Sequence, residues 1–140
     1  MKTLTIKQPY ASLIMAGIKK YEFRTWKTNY RGKFLIHAGK SVDKKAMEKY
    51  KQYKLNYPTG SIIGIATLVD CIKITDIERE TLKEKNPFVY SNVINNKEWV
   101  GYGFKLDNIK EVNPIKTNGK LGFWEFSYTD INSDNNEFTE

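Results

Sequence analysis

GIKKYEFR, residues 17–24, follows a short apolar run and sets Lys19, Lys20, Glu22 and Arg24 beside the rings of Tyr21 and Phe23. Read as an extended segment, it alternates. Tyr21 and Phe23 point one way while Lys20, Glu22 and Arg24 point the other, because side chains in a strand change face at each step. One face then packs on a core, and the other presents a cation–carboxylate–cation row. That row is either a surface ion ladder that fixes sheet register or the floor of a polar pocket.

Upstream of it, residues 4–6 (LTI) read as a short strand. Gln8-Pro9-Tyr10 turns the chain, with Pro9 at a first helical position. Residues 11–17 (ASLIMAG) form a short helix that stops at Gly17, a natural left-handed C-terminal residue. Downstream, residues 20–26 (KYEFRTW) are a strand and NYRG, ending at Gly32, is a turn. GKFLIHA, residues 32–38, is another strand, with Phe34 and Ile36 on one face and His37 on the other. Residues 41–55 read as a helix capped by Ser41 or Asp43, with Ala46, Met47 and Tyr50 as its buried stripe. Pro58-Thr59-Gly60 turns into the longest β run, residues 61–74. Residues 76–85 are a short helix, followed by an irregular stretch to residue 99. Residues 102–112 and 121–128 close the chain as strands, joined by a loop holding Pro114 and Gly119. The pattern predicts an α+β domain: a small β-barrel of about six strands with two or three helices packed around it. The helices are too few and the strand spacings too short for a doubly wound parallel sheet.

At 140 residues the chain is one domain, long enough to bury a core without staples. Its single cysteine, Cys71, excludes an internal disulfide; it lies in an apolar run and reads as a small buried hydrophobe. No leading apolar stretch or bilayer-length run is present, so a cytoplasmic, monomeric protein with no membrane partner is expected. Charge says more. The chain has 23 basic and 16 acidic residues, a formal net charge of +7. Residues 129–140 (TDINSDNNEFTE) hold four of the acids and no base, so they read as an acidic, disordered tail. A basic domain of this kind favours polyanions, phosphate above all. The sequence lacks a phosphate-binding glycine loop, a paired metal-carboxylate motif and a nucleophile elbow, so no metal and no cofactor are expected.

KQPYASLIMAGIKKYEFRTW, then YRGKFLIHAGK, and finally GKLGFWEF resemble the ASCH domain family, whose fold is similar to the RNA-binding PUA barrel. The family motif G-x-K-x-x-E-x-R is matched by Gly17, Lys19, Glu22 and Arg24. The likeness covers about residues 2–128, which implies an ASCH (PUA-like) domain over residues 1–128 with the tail beyond it. It further implies a cleft beside the motif that binds RNA, a nucleotide or a nucleoside. One branch of the family deacylates N4-acetylcytidine with the motif lysine, a threonine where this chain has Glu22, and a downstream glutamate. That glutamate has no assured counterpart here; Glu98 and Glu111 are candidates by rough location only. The resemblance thus implies recognition of RNA or a nucleotide, with an amidohydrolase, or less readily a ribonuclease, as the alternative.

Residue chemistry supplies roles to test. Lys19 lies just past a helix C-terminus and, if desolvated near Arg24, becomes a usable base or nucleophile. Glu22 is then a proton shuttle, or the group that neutralises both cations. Arg24 offers a planar fork to phosphate. Lys7, Gln8 and Tyr10 lie at the start of the first helix, where Gln8 either reads a base edge or caps the helix, and Tyr10 stacks or packs. Trp26, on the Arg24 face, suits stacking or a rim role. His37 is isolated from other metal ligands but within reach of a pocket, and Lys40 and Ser41 near a helix start suit a phosphate. Trp99 and Tyr102 read as a wall or lid, whereas Trp124 reads as core.

Overall fold

In the computed structural model, residues 1–127 are described. The acidic tail lies outside them. Six strands, β1 (Lys2–Gln8), β2 (Tyr21–Arg24), β3 (Gly32–Val42), β4 (Ser61–Lys73), β5 (Tyr102–Lys116) and β6 (Phe123–Glu125), form one sheet in the order β2-β5-β4-β3-β1-β6. Only β1 and β3 pair in parallel, with Thr5 opposite His37; every other pairing is antiparallel. Four α-helices accompany the sheet: α1 (Tyr10–Met15), α2 (Lys44–Lys49), α3 (Asp76–Lys85) and α4 (Ser91–Ile94).

The α+β architecture is as expected, but the barrel is not closed. Its two end strands, β2 and β6, are four and three residues long and do not pair with each other. Strands so short offer too few backbone groups to zip a seam. Side chains span the gap instead. The Trp26 ring meets Phe104 of β5 edge-on at 5.2 Å and Phe123 of β6 at 5.7 Å, while Arg24 donates to the Thr5 carbonyl of β1 at 2.5 Å.

The main core lies between this curved sheet and α1. Leu4, Phe34, Ile36 and Phe104 are fully buried there against Ala11 and Ile14. Cys71 is half-buried at its edge, not fully buried as its apolar run had implied. A second cluster, built on Tyr21, Leu82, Tyr90 and Val93, packs α3 and α4 against β2. The alternation of β2 is thereby explained: Tyr21 and Phe23 face this second cluster, and Glu22 and Arg24 face the other way.

Two local readings change. The long helix expected over residues 41–55 is α2 followed by a separate 3-10 turn, Lys51–Tyr53, because Tyr50 turns inward and donates to the Val89 carbonyl at 2.9 Å. Ala46 and Tyr50 are buried, Met47 only partly. The stretch read as irregular contains α4, too short for a helical period to show in sequence.

Asp43, not Ser41, caps α2. Its carboxylate accepts from the Ala46 N–H at 3.0 Å and from the Tyr10 hydroxyl at 3.0 Å, and these bonds, the Ala46 one foremost, hold its pKa below the usual value. Asp43→Ala is therefore expected to cost about 1–2 kcal/mol in urea unfolding. Ser41→Ala should stay within about 0.5 kcal/mol of the parent.

Candidate functional site

Gly17, with φ of +76°, ends α1 in the left-handed region that favours glycine. The N–H groups of Ile18 and Lys19 both return to the Leu13 carbonyl, at 3.0 and 3.1 Å. This wrapped end keeps residues 18–20 out of the strand, so the alternation of β2 does not extend back to Lys20. Lys20 is exposed, and Lys19 is the buried cation, only 4% accessible.

Lys19 donates through Nζ to the Tyr21 carbonyl and lies over the Phe23 ring, 4.6 Å from its centroid. Glu22, itself buried, stands between the cations. Its Oε1 is 3.7 Å from Lys19 Nζ and its Oε2 is 3.2 Å from Arg24 Nε. The Arg24 Nε–H is not aimed for a hydrogen bond, so that contact is Coulombic, while Nη2 is fixed on Thr5. Burial is the main influence on Lys19. It outweighs attraction to Glu22, is reinforced by Arg24, and brings the ammonium down to about 8.

The motif floors a cleft of about 920 Å³, near the upper end of small-ligand pockets. One wall is made by β1 and β3, which supply Thr5, Lys7, His37, Lys40 and Ser41. The opposite wall is made by α4 and its flanks, which supply Tyr90, Asn92, Asn96 and Trp99. Tyr10 and the loop of residues 118–122 complete it. Burial, reinforced by Asp43, pushes the Tyr10 phenol well above its usual value, so it stays protonated and donates.

Of the residues expected at the site, Lys7, Tyr10, Lys19, Glu22, Arg24, His37, Lys40 and Ser41 line this cleft. Gln8, Trp26 and Tyr102 do not. Gln8 is fully buried and caps α1: its Oε1 accepts from the Ser12 N–H, and its Nε2 donates to Ser12 Oγ and the Pro58 carbonyl. Trp26 bridges the sheet ends, and Tyr102, opposite Arg24 in the ladder, packs on the main core. Ser41 does not offer a helix N-terminus to an anion, because the Asp43 carboxylate already occupies it. Glu98 and Glu111 are exposed and outside the cleft.

Sequence reading anticipated Trp99 as a wall, but it missed α4, Asn92 and Asn96 and the clamp behind them. Arg79 is buried and donates to three backbone carbonyls, those of Val93, Asn96 and Trp99, fixing the turn that presents Asn96 and Trp99. Gly101 completes the placement, since a Cβ there would come within 2.3 Å of the Trp99 ring. The opposite loop is held by His37. Its Nε2 is 2.7 Å from the Thr117 carbonyl, which requires a proton on Nε2, and its Nδ1 therefore accepts from Thr5 Oγ1 at 3.1 Å. The Thr5 hydroxyl in turn accepts from Trp124 Nε1 at 3.1 Å. Burial lowers the His37 pKa, in keeping with a neutral ring whose nitrogens are both used. Among the described residues, no group of three or more His, Cys, Asp or Glu side chains could hold a metal ion.

The ASCH domain model matches residues 4–116, a span that contains the whole G-x-K-x-x-E-x-R segment. The chain belongs to the ASCH domain family. Relatives and solved structures agree. The human protein "Activating signal cointegrator 1" is 32% identical over 106 residues, covering 62% of this chain. Its mouse counterpart is 36% identical over 81 residues, 49% of this chain. The chain spans only 18% and 14% of those two proteins. Among crystal structures, a variant of the ASCH protein from Zymomonas mobilis superposes with a TM-score of 0.61 at 14% identity, covering 94% of this chain and 92% of that one. The parent protein gives 0.54 at 17% identity, with 99% and 80% covered. These likenesses establish the ASCH fold for the open sheet described above. No helix among the described residues is long and apolar enough to cross a membrane.

The lowered Lys19 pKa has a stability consequence. An unfolded lysine titrates near 10.4, so between about pH 8 and that value the unfolded chain binds more protons at this site than the folded one. Stability at this site therefore rises with pH through that window, on the order of 3 kcal/mol in full. Urea unfolding from about pH 7 to about pH 10 should show the parent gaining on Lys19→Met. Parallel curves would place Lys19 in water.

Proposed function

We propose that this ASCH domain recognises RNA or a nucleotide by enclosing a base in the motif cleft. The observation that carries this reading is the make-up of the lining. Among the described residues, five cations (Lys7, Lys19, Arg24, Lys40 and Lys120) face a single carboxylate, Glu22, which is already shared by Lys19 and Arg24. The cleft therefore keeps a net positive field for an anion. From the α4 side, the Trp99 ring and the carboxamides of Asn92 and Asn96 supply what an unpaired base needs: a stacking surface, and groups that both donate and accept. Membership of a PUA-like family adds to this by analogy only.

A hydrolytic reading rests on one observation, the buried Lys19 with a pKa near 8 beside Glu22, a value suited to a general base. It asks Lys19 to leave the Tyr21 carbonyl and Glu22 to release two cations, with no second carboxylate lining the cleft among the described residues. Binding is the better-supported function. An amidohydrolase for acylated nucleosides is the second reading, ahead of a ribonuclease.

Fluorescence titration with short single-stranded RNAs should show binding that weakens as salt is raised. Trp99→Ala should cost about 1–3 kcal/mol of binding, the usual worth of a stacked base. Asn92→Ala with Asn96→Ala should change which bases are preferred, without altering the salt dependence. Unchanged affinity in both variants would refute base recognition in this cleft. Turnover of N4-acetylcytidine, lost in Lys19→Ala, would instead establish the hydrolase.

A further inference from the structure

The cleft is chemically polarised. Its aromatic and carboxamide groups, Trp99, Asn92 and Asn96, come from α4 and its flank, while Lys40 comes from β3 and Lys120 from the loop between β5 and β6. Lys40 and Lys120 are exposed, and neither is within ion-pair distance of a carboxylate among the described residues. Free lysines on a mobile surface would mean little, but this loop is pinned at three successive residues. His37 holds the Thr117 carbonyl at 2.7 Å, and Lys40 Nζ donates to Asn118 Oδ1 at 3.1 Å. Gly119 lies so close to the Thr5 hydroxyl and the His37 ring that a Cβ there would come within 2.6 and 2.8 Å of them. The next residue is Lys120. The loop is thus pressed onto the cleft wall, with the Lys40 ammonium held against it and the backbone that carries Lys120 placed before any ligand arrives.

The arrangement fits a group with more negative charge than the bridging diester of an RNA strand. A terminal phosphate monoester carries about 1.5 to 2 negative charges at neutral pH and three strong acceptor oxygens. Two lysines with no competing carboxylate, beside the Asn118 side chain, match that demand.

We infer that the cleft takes a nucleotide bearing a terminal phosphate monoester, with its base against the α4 wall and its phosphate on Lys40 and Lys120. This rests on the nucleotide-binding reading above. It adds the ligand's terminal charge and its direction in the cleft.

The test is a calorimetric titration of the full chain with the four ribonucleosides, their 5′- and 3′-monophosphates, and short RNAs with either a 5′-phosphate or a 5′-hydroxyl. At least one monophosphate should bind about tenfold or more tightly than its nucleoside, the worth of one charge-assisted contact. In Lys40→Ala/Lys120→Ala that advantage should vanish while nucleoside affinity holds within about twofold, and Lys40→Arg/Lys120→Arg should retain most of it. A preference among the RNAs for the 5′-phosphate would identify an RNA end as the source; a preference shown only by mononucleotides would identify the free nucleotide. Equal binding of nucleosides and monophosphates overturns the phosphate site but leaves base recognition standing. So does a phosphate advantage that survives the alanine pair. Binding of RNA regardless of its end, with no mononucleotide bound, overturns the inference while supporting strand binding. No binding of any of these probes overturns both readings.

Discussion

Burying the Glu22 carboxylate is the constraint on which the rest of the cleft depends. A buried carboxylate is costly unless paired, and removing one partner of such a group costs more than the pair returns. Here the pairing is double, with Lys19 on one oxygen and Arg24 on the other. The two cations are thereby fixed as well. Lys19 is drawn under the Phe23 ring and onto the Tyr21 carbonyl, and Arg24 is drawn across the open seam of the sheet onto Thr5. A short strand at an unpaired edge would otherwise fray. The ion row ties β2 to β1 without a backbone ladder, and the floor of the cleft is thereby joined to its β1–β3 wall.

Thr5 is where this row meets the opposite loop. Its carbonyl accepts from Arg24, and its hydroxyl accepts from Trp124 and donates to His37, which donates in turn to Thr117. Every proton in that chain has one consistent assignment. The indole can only donate and the carbonyl can only accept, so the hydroxyl and the imidazole between them must each pass a proton the same way. His37 is thus a neutral spacer that holds a loop, not an acid, a base or a metal ligand. Arg79 performs the matching task on the other wall by collecting three carbonyls of the turn after α4.

Sequence patterns disclosed the parts of this structure that repeat locally. The period of two in residues 21–24 and 34–36, the glycine that ends α1, and an α+β order of elements were all readable because each is set by near neighbours. The motif residues Lys19, Glu22 and Arg24 do gather into one charged cluster. What stayed hidden depends on residues brought together over long separations. Lys19 replaces Lys20 in the ion row because α1 ends in a wrapped turn, which alternation alone cannot show. Gln8, open in sequence between base reading and capping, is decided for the cap because its amide nitrogen is also spent on Pro58, fifty positions away. Apart from Trp99, the α4 wall was invisible for a simpler reason: four helical residues carry no period, and an arginine in a charged helix such as α3 looks solvated until the carbonyls around it are seen.

The same burial that makes Lys19 chemically tunable also makes it an awkward catalyst. Desolvation lowers the cost of losing its proton, as a general base requires. Yet the ammonium is held by a carbonyl, a carboxylate and an aromatic face, and all three favour the charged form. A reacting lysine would have to give up those contacts as it lost its charge, and would leave Glu22 with one cation in place of two. A recognition site asks for the reverse, a rigid row whose charges do not change while a ligand comes and goes. The walls reinforce that distinction, since both are fixed by buried hydrogen bonds, and rigid placement of polar groups reduces the entropy lost on binding. A stationary ion row therefore favours the proposed binding role over the hydrolytic one.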